Sequence, residues 1–147
     1  MFFDGASKSN PGTDGAGGLI INVDGERILH YEWGLGKVSN NRAEALALFQ
    51  GLTQLGKLGI KKEKVFEDSS IVIHLMVHQQ NSTNTILQQI NRCNQILHQE
   101  MDDIQFYHIL RNLNKRADDR ANSACGRPVG ILVATPRRLT NLCHDPK

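Results

Sequence analysis

The chain is poor in cysteine. Three occur in 147 residues, Cys93, Cys125 and Cys143, too few and too far apart for a disulfide framework or a thiolate metal site. Any metal is therefore left to oxygen ligands, and a reducing intracellular compartment (cytoplasm, nucleus or an organelle) is the simpler expectation. Long apolar runs are also missing, which argues against a membrane span. No basic segment followed by an apolar run opens the chain, so no secretory leader is expected. Nor does one sign of charge dominate: the net charge is +2, too little for a general polyanion binder. That small figure hides an asymmetry. Residues 1–124 carry 13 Lys/Arg against 14 Asp/Glu, whereas residues 125–147 carry four Lys/Arg against Asp145 alone. Binding to nucleic acid would need a local patch, with divalent cations offsetting any acidic site. The length suits one domain with a respectable core.

What is present begins with Phe2-Phe3-Asp4-Gly5-Ala6-Ser7 and Asn10-Pro11-Gly12. The aromatics suit a pleated strand, the small residues leave room beside Asp4, and the last three form a turn signal. Ala16 to Val23 and Arg27 to Trp33 read as two more strands, joined by an Asp24-Gly25 hairpin turn. Asn40 or Asn41 can cap a helix whose Ala43, Ala47, Leu48, Leu52, Leu55 and Leu58 recur at helical spacing. Glu44 would lie in its first turn, where a helix favours negative charge, and Gly59 would end it.

Ile60 to Phe66 reads as a fourth strand, ended by Asp68-Ser69. A short helix and an amphipathic one over Ile86–Leu97 follow. Ile104 to Leu110 is a fifth strand, and Asn114 to Ala124 a last helix. Residues 125–147, broken by Gly126, Pro128, Gly130 and Pro136, read as an appended basic tail, although Ile131 to Val133 could make a short strand. Cutting that tail should leave a folded body that binds polyanions less tightly. The order predicts an α/β mixed sheet of five strands, the first three antiparallel, with helices on its faces.

Four acids fall at telling places on this order. Asp4 is on the first strand, Asp68 at the C-terminal end of the fourth, Glu44 early in the first long helix, and Asp118 early in the last. Singly each has an ordinary explanation, as a cap or a solvated side chain. If strands one and four are neighbours the four converge, and converging carboxylates repel unless cations join them. Hard divalent ions, Mg²⁺ first, fit such ligands. Two of them about 4 Å apart hold the attacking water and leaving oxygen of a phosphodiester in line.

The stretches named so far, with Gly15-Ala16-Gly17-Gly18, Asn40-Asn41-Arg42-Ala43-Glu44-Ala45, Asp68-Ser69 and Asn114…Ala117-Asp118…Ala121-Asn122, resemble the type 1 ribonuclease H family, above all its plant and retroelement variety. The resemblance covers residues 1 to about 124. It implies a ribonuclease H-like fold and an endonuclease that cuts the RNA strand of an RNA–DNA hybrid, leaving 5′-phosphate and 3′-hydroxyl ends. It puts two Mg²⁺ ions, with Mn²⁺ as a substitute, on Asp4, Glu44, Asp68 and Asp118. Asn114 anchors the register and favours Asp118 over Asp119, which points about 100° away. Gly5, Ala6, Asn10 and Asn41 would lie along the hybrid's minor groove, where the ribose 2′-hydroxyl is sensed.

Departures from the family pattern are few. Arg111 holds a place where many relatives carry a histidine; it can touch phosphate but cannot shuttle protons near neutral pH. His108 reads as structural. Glu67 stands where relatives have a small residue, and either crowds the metal site or points away. Arg120 falls where relatives bury leucine and is expected to snorkel to the surface. The abrupt start at Met1 suggests a piece of a longer polypeptide, otherwise a monomer. Two alternatives stay open: a catalytically weak nucleic-acid-binding domain of a larger protein, and an integrase-like or exonuclease enzyme on the same fold.

Overall fold

In the computed structural model the described residues are 1–7, 13–69, 72–74 and 85–136. Strands β1 (Phe2–Ser7), β2 (Asp14–Ile21) and β3 (Arg27–Gly36) come first, then α1 (Asn40–Lys57) and β4 (Lys62–Glu67). A helical turn at residues 72–74, helix α2 (Thr85–Gln99), β5 (Asp103–His108), a 3-10 turn (Arg111–Leu113), α3 (Lys115–Ala124) and β6 (Leu132–Pro136) follow among the described residues. One sheet holds all six strands in the order β5-β4-β1-β2-β3-β6. β1, β2, β3 and β6 are antiparallel in turn, while β1–β4 and β4–β5 are parallel. The neighbouring of strands one and four is met.

The sequence expectation differs in three places. The sheet has a sixth strand: residues 132–136 pair with Leu29–Trp33 of β3, so the segment read as tail adds to the sheet. The hairpin is wider than two residues. It spans residues 22–26, with Gly25 at φ +82° and the Asn22 carboxamide oxygen accepting from Asp24 and Glu26 N–H. Helix α1 is capped by Ser39, whose Oγ accepts from Arg42 N–H at 3.2 Å. The first turn therefore holds no acid, and Glu44 lies just beyond it.

The core lies between the sheet and α1. Phe3, Ile20, Tyr31, Leu48, Leu52, Leu55 and Val65 are buried there, and the Tyr31 hydroxyl donates to Ala47 O at 2.6 Å. Helix α3 covers the sheet through Ala117, Ala121 and Ala124. Glycines set how closely both helices approach. A Cβ on Gly17 would stand 2.4 Å from Ala121 N, and one on Gly5 would stand 2.5 Å from Ala43 C and Glu44 N.

These are backbone atoms, which a side chain cannot push aside cheaply. Gly5→Ala is therefore expected to lower the unfolding free energy by about 1–3 kcal/mol, read by chemical denaturation. Unchanged stability would show that α1 yields freely.

Candidate active site

β1, α1, the end of β4 and α3 each bring one of the four expected acids to a single place. Asp4 and Glu44 are buried; Asp68 and Asp118 are partly exposed. The Asp4 carboxyl lies close enough to those of Glu44, Asp68 and Asp118 to interact with all three. A cavity of about 220 Å³ opens over them, lined by Asp4, Gly5, Asn40, Glu44, Asp68, Ser69 and Arg111. Two of the five residues expected to meet a substrate, Gly5 and Arg111, thus border it. Ala6 packs instead against Ala121 and Cys125. Asn41 is half-buried on α1, and it is its neighbour Asn40 that lines the cavity. Asn10, with the Asn10-Pro11-Gly12 turn, lies outside the described residues.

Asp119 faces away, as helical geometry requires. It is exposed and paired with Lys115 at 3.3 Å. Asn114, fully buried, is the clamp of the site. The two protons of its Nδ2 are spread over three acceptors, Phe3 O at 2.9 Å, Asp68 Oδ1 at 3.1 Å and Glu67 Oε1 at 3.3 Å, so one is shared. One amide thus ties β1, the end of β4 and the start of α3 together. His108 Nε2 lies 3.0 Å from the Asp68 carbonyl oxygen, which steadies the same loop.

A fifth acid joins the group. Glu67 is completely buried, and its Oε1 accepts from Asp68 N–H at 2.6 Å and Ser69 N–H at 3.2 Å. Ligand oxygens of Asp4, Glu67 and Asp68 lie within 4.8 Å of one another. Glu67 does not point away. It stands two residues after buried Val65 in β4 and so shares that residue's inward face, a periodicity visible in the sequence. Arg120 also departs from expectation: its guanidinium is not free at the surface but binds buried Glu32 at 2.9 Å. Arg127 grips the other oxygen of Glu32 at 2.7 and 2.9 Å.

The electrostatics report a shortage of positive charge. Burial, then the charges of Glu44 and Asp68, push the Asp4 carboxyl up to about 9. Burial, then hydrogen bonds to Glu44 and Asp68, raise Glu67 far above the carboxylate range. Glu67 is thereby biased toward its protonated form. Burial opposes charge on Asp68, but bonds from Glu67 and Asn114 outweigh it and hold that carboxyl below its ordinary value. Glu44 Oε2 and Glu67 Oε2 are buried with no hydrogen-bond partner. Buried, partnerless carboxylate oxygens within one cluster of acids fit a divalent cation.

A pH dependence follows for the metal-free protein. The Asp4 pKa is higher in the folded state than the ordinary 3.8, so the unfolded chain sheds this proton first as pH rises. The associated stability is complete below about pH 4 and lost on the way to about pH 9. Asp68 acts oppositely, but its part is complete once pH exceeds the ordinary carboxylate range. Urea denaturation at a series of pH values should therefore show falling stability from pH 5 to 9, restored by Mg²⁺ (about 10 mM). Rising stability over that range would refute the crowding of these acids.

Comparison with known proteins places this geometry. A family model described as reverse transcriptase-like matches residues 2–124. Ribonuclease HI of Halobacterium salinarum is 29% identical over 123 residues, 84% of this chain and 62% of that protein. A bifunctional protein of Mycobacterium tuberculosis is 30% identical over 122 residues, 82% of this chain and 34% of its own length. The chain thus spans less than two thirds of these relatives. The crystal structure of the Halobacterium ribonuclease H1 superposes with a TM-score of 0.78, covering 84% of this chain and 93% of that one. LC11 ribonuclease H1, from a compost metagenome and solved with an RNA/DNA hybrid, superposes at 0.77 with 27% identity, covering 84% and 94%.

Proposed function

Because the chain belongs to the reverse transcriptase-like family of ribonuclease H proteins, we propose that it is a metal-dependent endonuclease that hydrolyses the RNA strand of RNA–DNA hybrids. The products would carry 5′-phosphate and 3′-hydroxyl ends. The observation that carries this reading is the meeting of Asp4, Glu44, Asp68 and Asp118, from four elements, beside a cavity that the first three line and where Glu44 keeps a partnerless buried oxygen. These four side chains would hold two Mg²⁺ ions, or Mn²⁺ in their place. Bound cations would supply charge neutralisation and an activated water for in-line attack.

The chain's own groups do the rest. Asn114 orients Asp68 against β1. Arg111, on the cavity rim, receives a phosphate of the strand to be cut, as a guanidinium does well. Gly5 leaves backbone near the groove, and Asn10 and Asn41 are its expected readers of the 2′-hydroxyl. The protein works as a monomer or as part of a larger polypeptide, in a reducing compartment.

A cleavage assay on labelled hybrid, duplex DNA and duplex RNA, with and without Mg²⁺, tests the reading. Cleavage of the hybrid alone, and only with metal, is expected. Within it, Asp118→Asn should cost far more activity than Asp119→Asn, since only Asp118 touches Asp4; equal losses would put the wrong residue in the site. Glu67 favours a second reading, a hybrid-binding domain of weak activity, because its buried carboxyl crowds those of Asp4 and Asp68. Tight hybrid binding without cleavage at saturating Mg²⁺, relieved in Glu67→Thr, would select that reading.

A further inference from the structure

On the other flank of α3 lies a second cavity, of about 400 Å³, lined by Leu19, Arg27, His30, Arg116, Asp119 and Arg120. Arg116 and Asp118 point about 160° apart around the helix, so α3 stands between this cavity and the acids. Three guanidiniums around one concavity are unexpected in a body whose residues 1–124 hold 13 Lys/Arg against 14 Asp/Glu.

The donors are arranged for an anion. Arg27 Nη1 bonds His30 Nδ1. A guanidinium can only donate, so Nδ1 accepts and the ring proton sits on Nε2, a further donor. Arg120 spends one nitrogen on Glu32 and keeps others. Arg116 has no hydrogen-bond or ion-pair partner among the described residues. The one acidic lining residue, Asp119, is already paired with Lys115. Burial, then Arg27, Arg120 and Arg116 against an opposing Glu32, depress the His30 ring, which places all three cations close around it. A tetrahedral oxyanion matches forked, planar donors of this kind.

We propose that this pocket binds a phosphate group through Arg27, the His30 Nε2–H, Arg116 and Arg120. The phosphate could come from a nucleic-acid strand running past α3 or from a free phosphate or phosphomonoester, and the test separates the two. The His30 ring resonances are followed by NMR as inorganic phosphate is titrated into the full chain at constant ionic strength, against chloride. A saturable shift is expected, weakened at least about tenfold in Arg116→Gln and in Arg27→Gln. Arg116 is exposed, so its variant should keep its melting temperature.

The second arm measures hybrid affinity of both variants across a KCl series, with non-cleaving Ca²⁺ present. A salt slope reduced by about one per arginine assigns the site to a strand phosphate; an unchanged slope beside a phosphate-induced shift assigns it to a free anion. No saturable shift together with unchanged slopes overturns the proposal, as does a shift that both variants leave intact. The phosphate arm uses no hybrid, so it stands or falls apart from the nuclease reading.

Discussion

Asp4→Asn and Asp68→Asn are each expected to abolish hybrid cleavage in a protein that still folds. Each removes a carboxylate from the place where the four acids meet, and a neutral amide is a poor partner for Mg²⁺. Loss of about 4 kcal/mol of transition-state stabilisation, a thousandfold in rate, is the scale for such a centre. The two variants should part in stability. At pH 7 the metal-free protein keeps Asp4 protonated at a cost, because burial and its neighbours push that carboxyl to about 9. Asn removes the cost, so Asp4→Asn should melt higher than the parent chain. Asp68 is instead held in its charged form by Glu67 and Asn114, and Asp68→Asn should melt lower. Near-normal turnover by either variant at saturating Mg²⁺ would remove the residue from the site. A drop in melting temperature for both would reduce the activity loss to misfolding.

Cutting the chain after Ala124 should cost most of its stability. The family match ends at residue 124, yet the packing does not. β6 covers Leu29–Trp33 of β3, Cys125 is buried against Ala6 and Ala121, and Arg127 satisfies buried Glu32. Stripping a partner from a buried pair costs about 3–5 kcal/mol. The loss here lies below that range, since Glu32 keeps Arg120 and the Arg127 side chain is 35% exposed. The lost pairing of β6 and the uncovered edge of β3 add to it, against a margin of only about 5–15 kcal/mol for an ordinary domain. Thermal melts of residues 1–124 and of the full chain, followed by circular dichroism, decide it. A cooperative melt within a few degrees of the full chain would restore the view of residues 125–147 as a dispensable basic tail.

Within that segment residues 132–136 depart from the tail reading, for a physical reason. Residues 132–136 are few, flanked by Gly130 and ended by Pro136, so local pattern gives them little strand character. They are strand because β3 offers an edge. The Glu32 pair with Arg120 and Arg127 spans 88 and 95 residues, and no local pattern announces a contact that distant. By contrast, the places of Asp4, Glu44, Asp68 and Asp118 were legible, because short motifs in family order carry them. Asn114 was legible as an anchor of register but not as a donor to three acceptors. Glu67 could have been read inward from Val65, had strand alternation been counted from the buried residue rather than from Asp68. Ser39 rather than Asn40 caps α1 because both residue types serve, and only backbone geometry chooses.

The Asn114 clamp has a consequence for the order of events in folding. It bridges to Phe3 across 111 residues, and the acids it organises are drawn from positions 4 to 118. Contacts of such separation form late, because their loop-closure entropy is spent before they stabilise anything. The β2–β3 hairpin and α1 can form early from local contacts, but the reactive centre cannot exist until α3 has docked on β1. The four acids therefore meet only after residues 114–124 have been made.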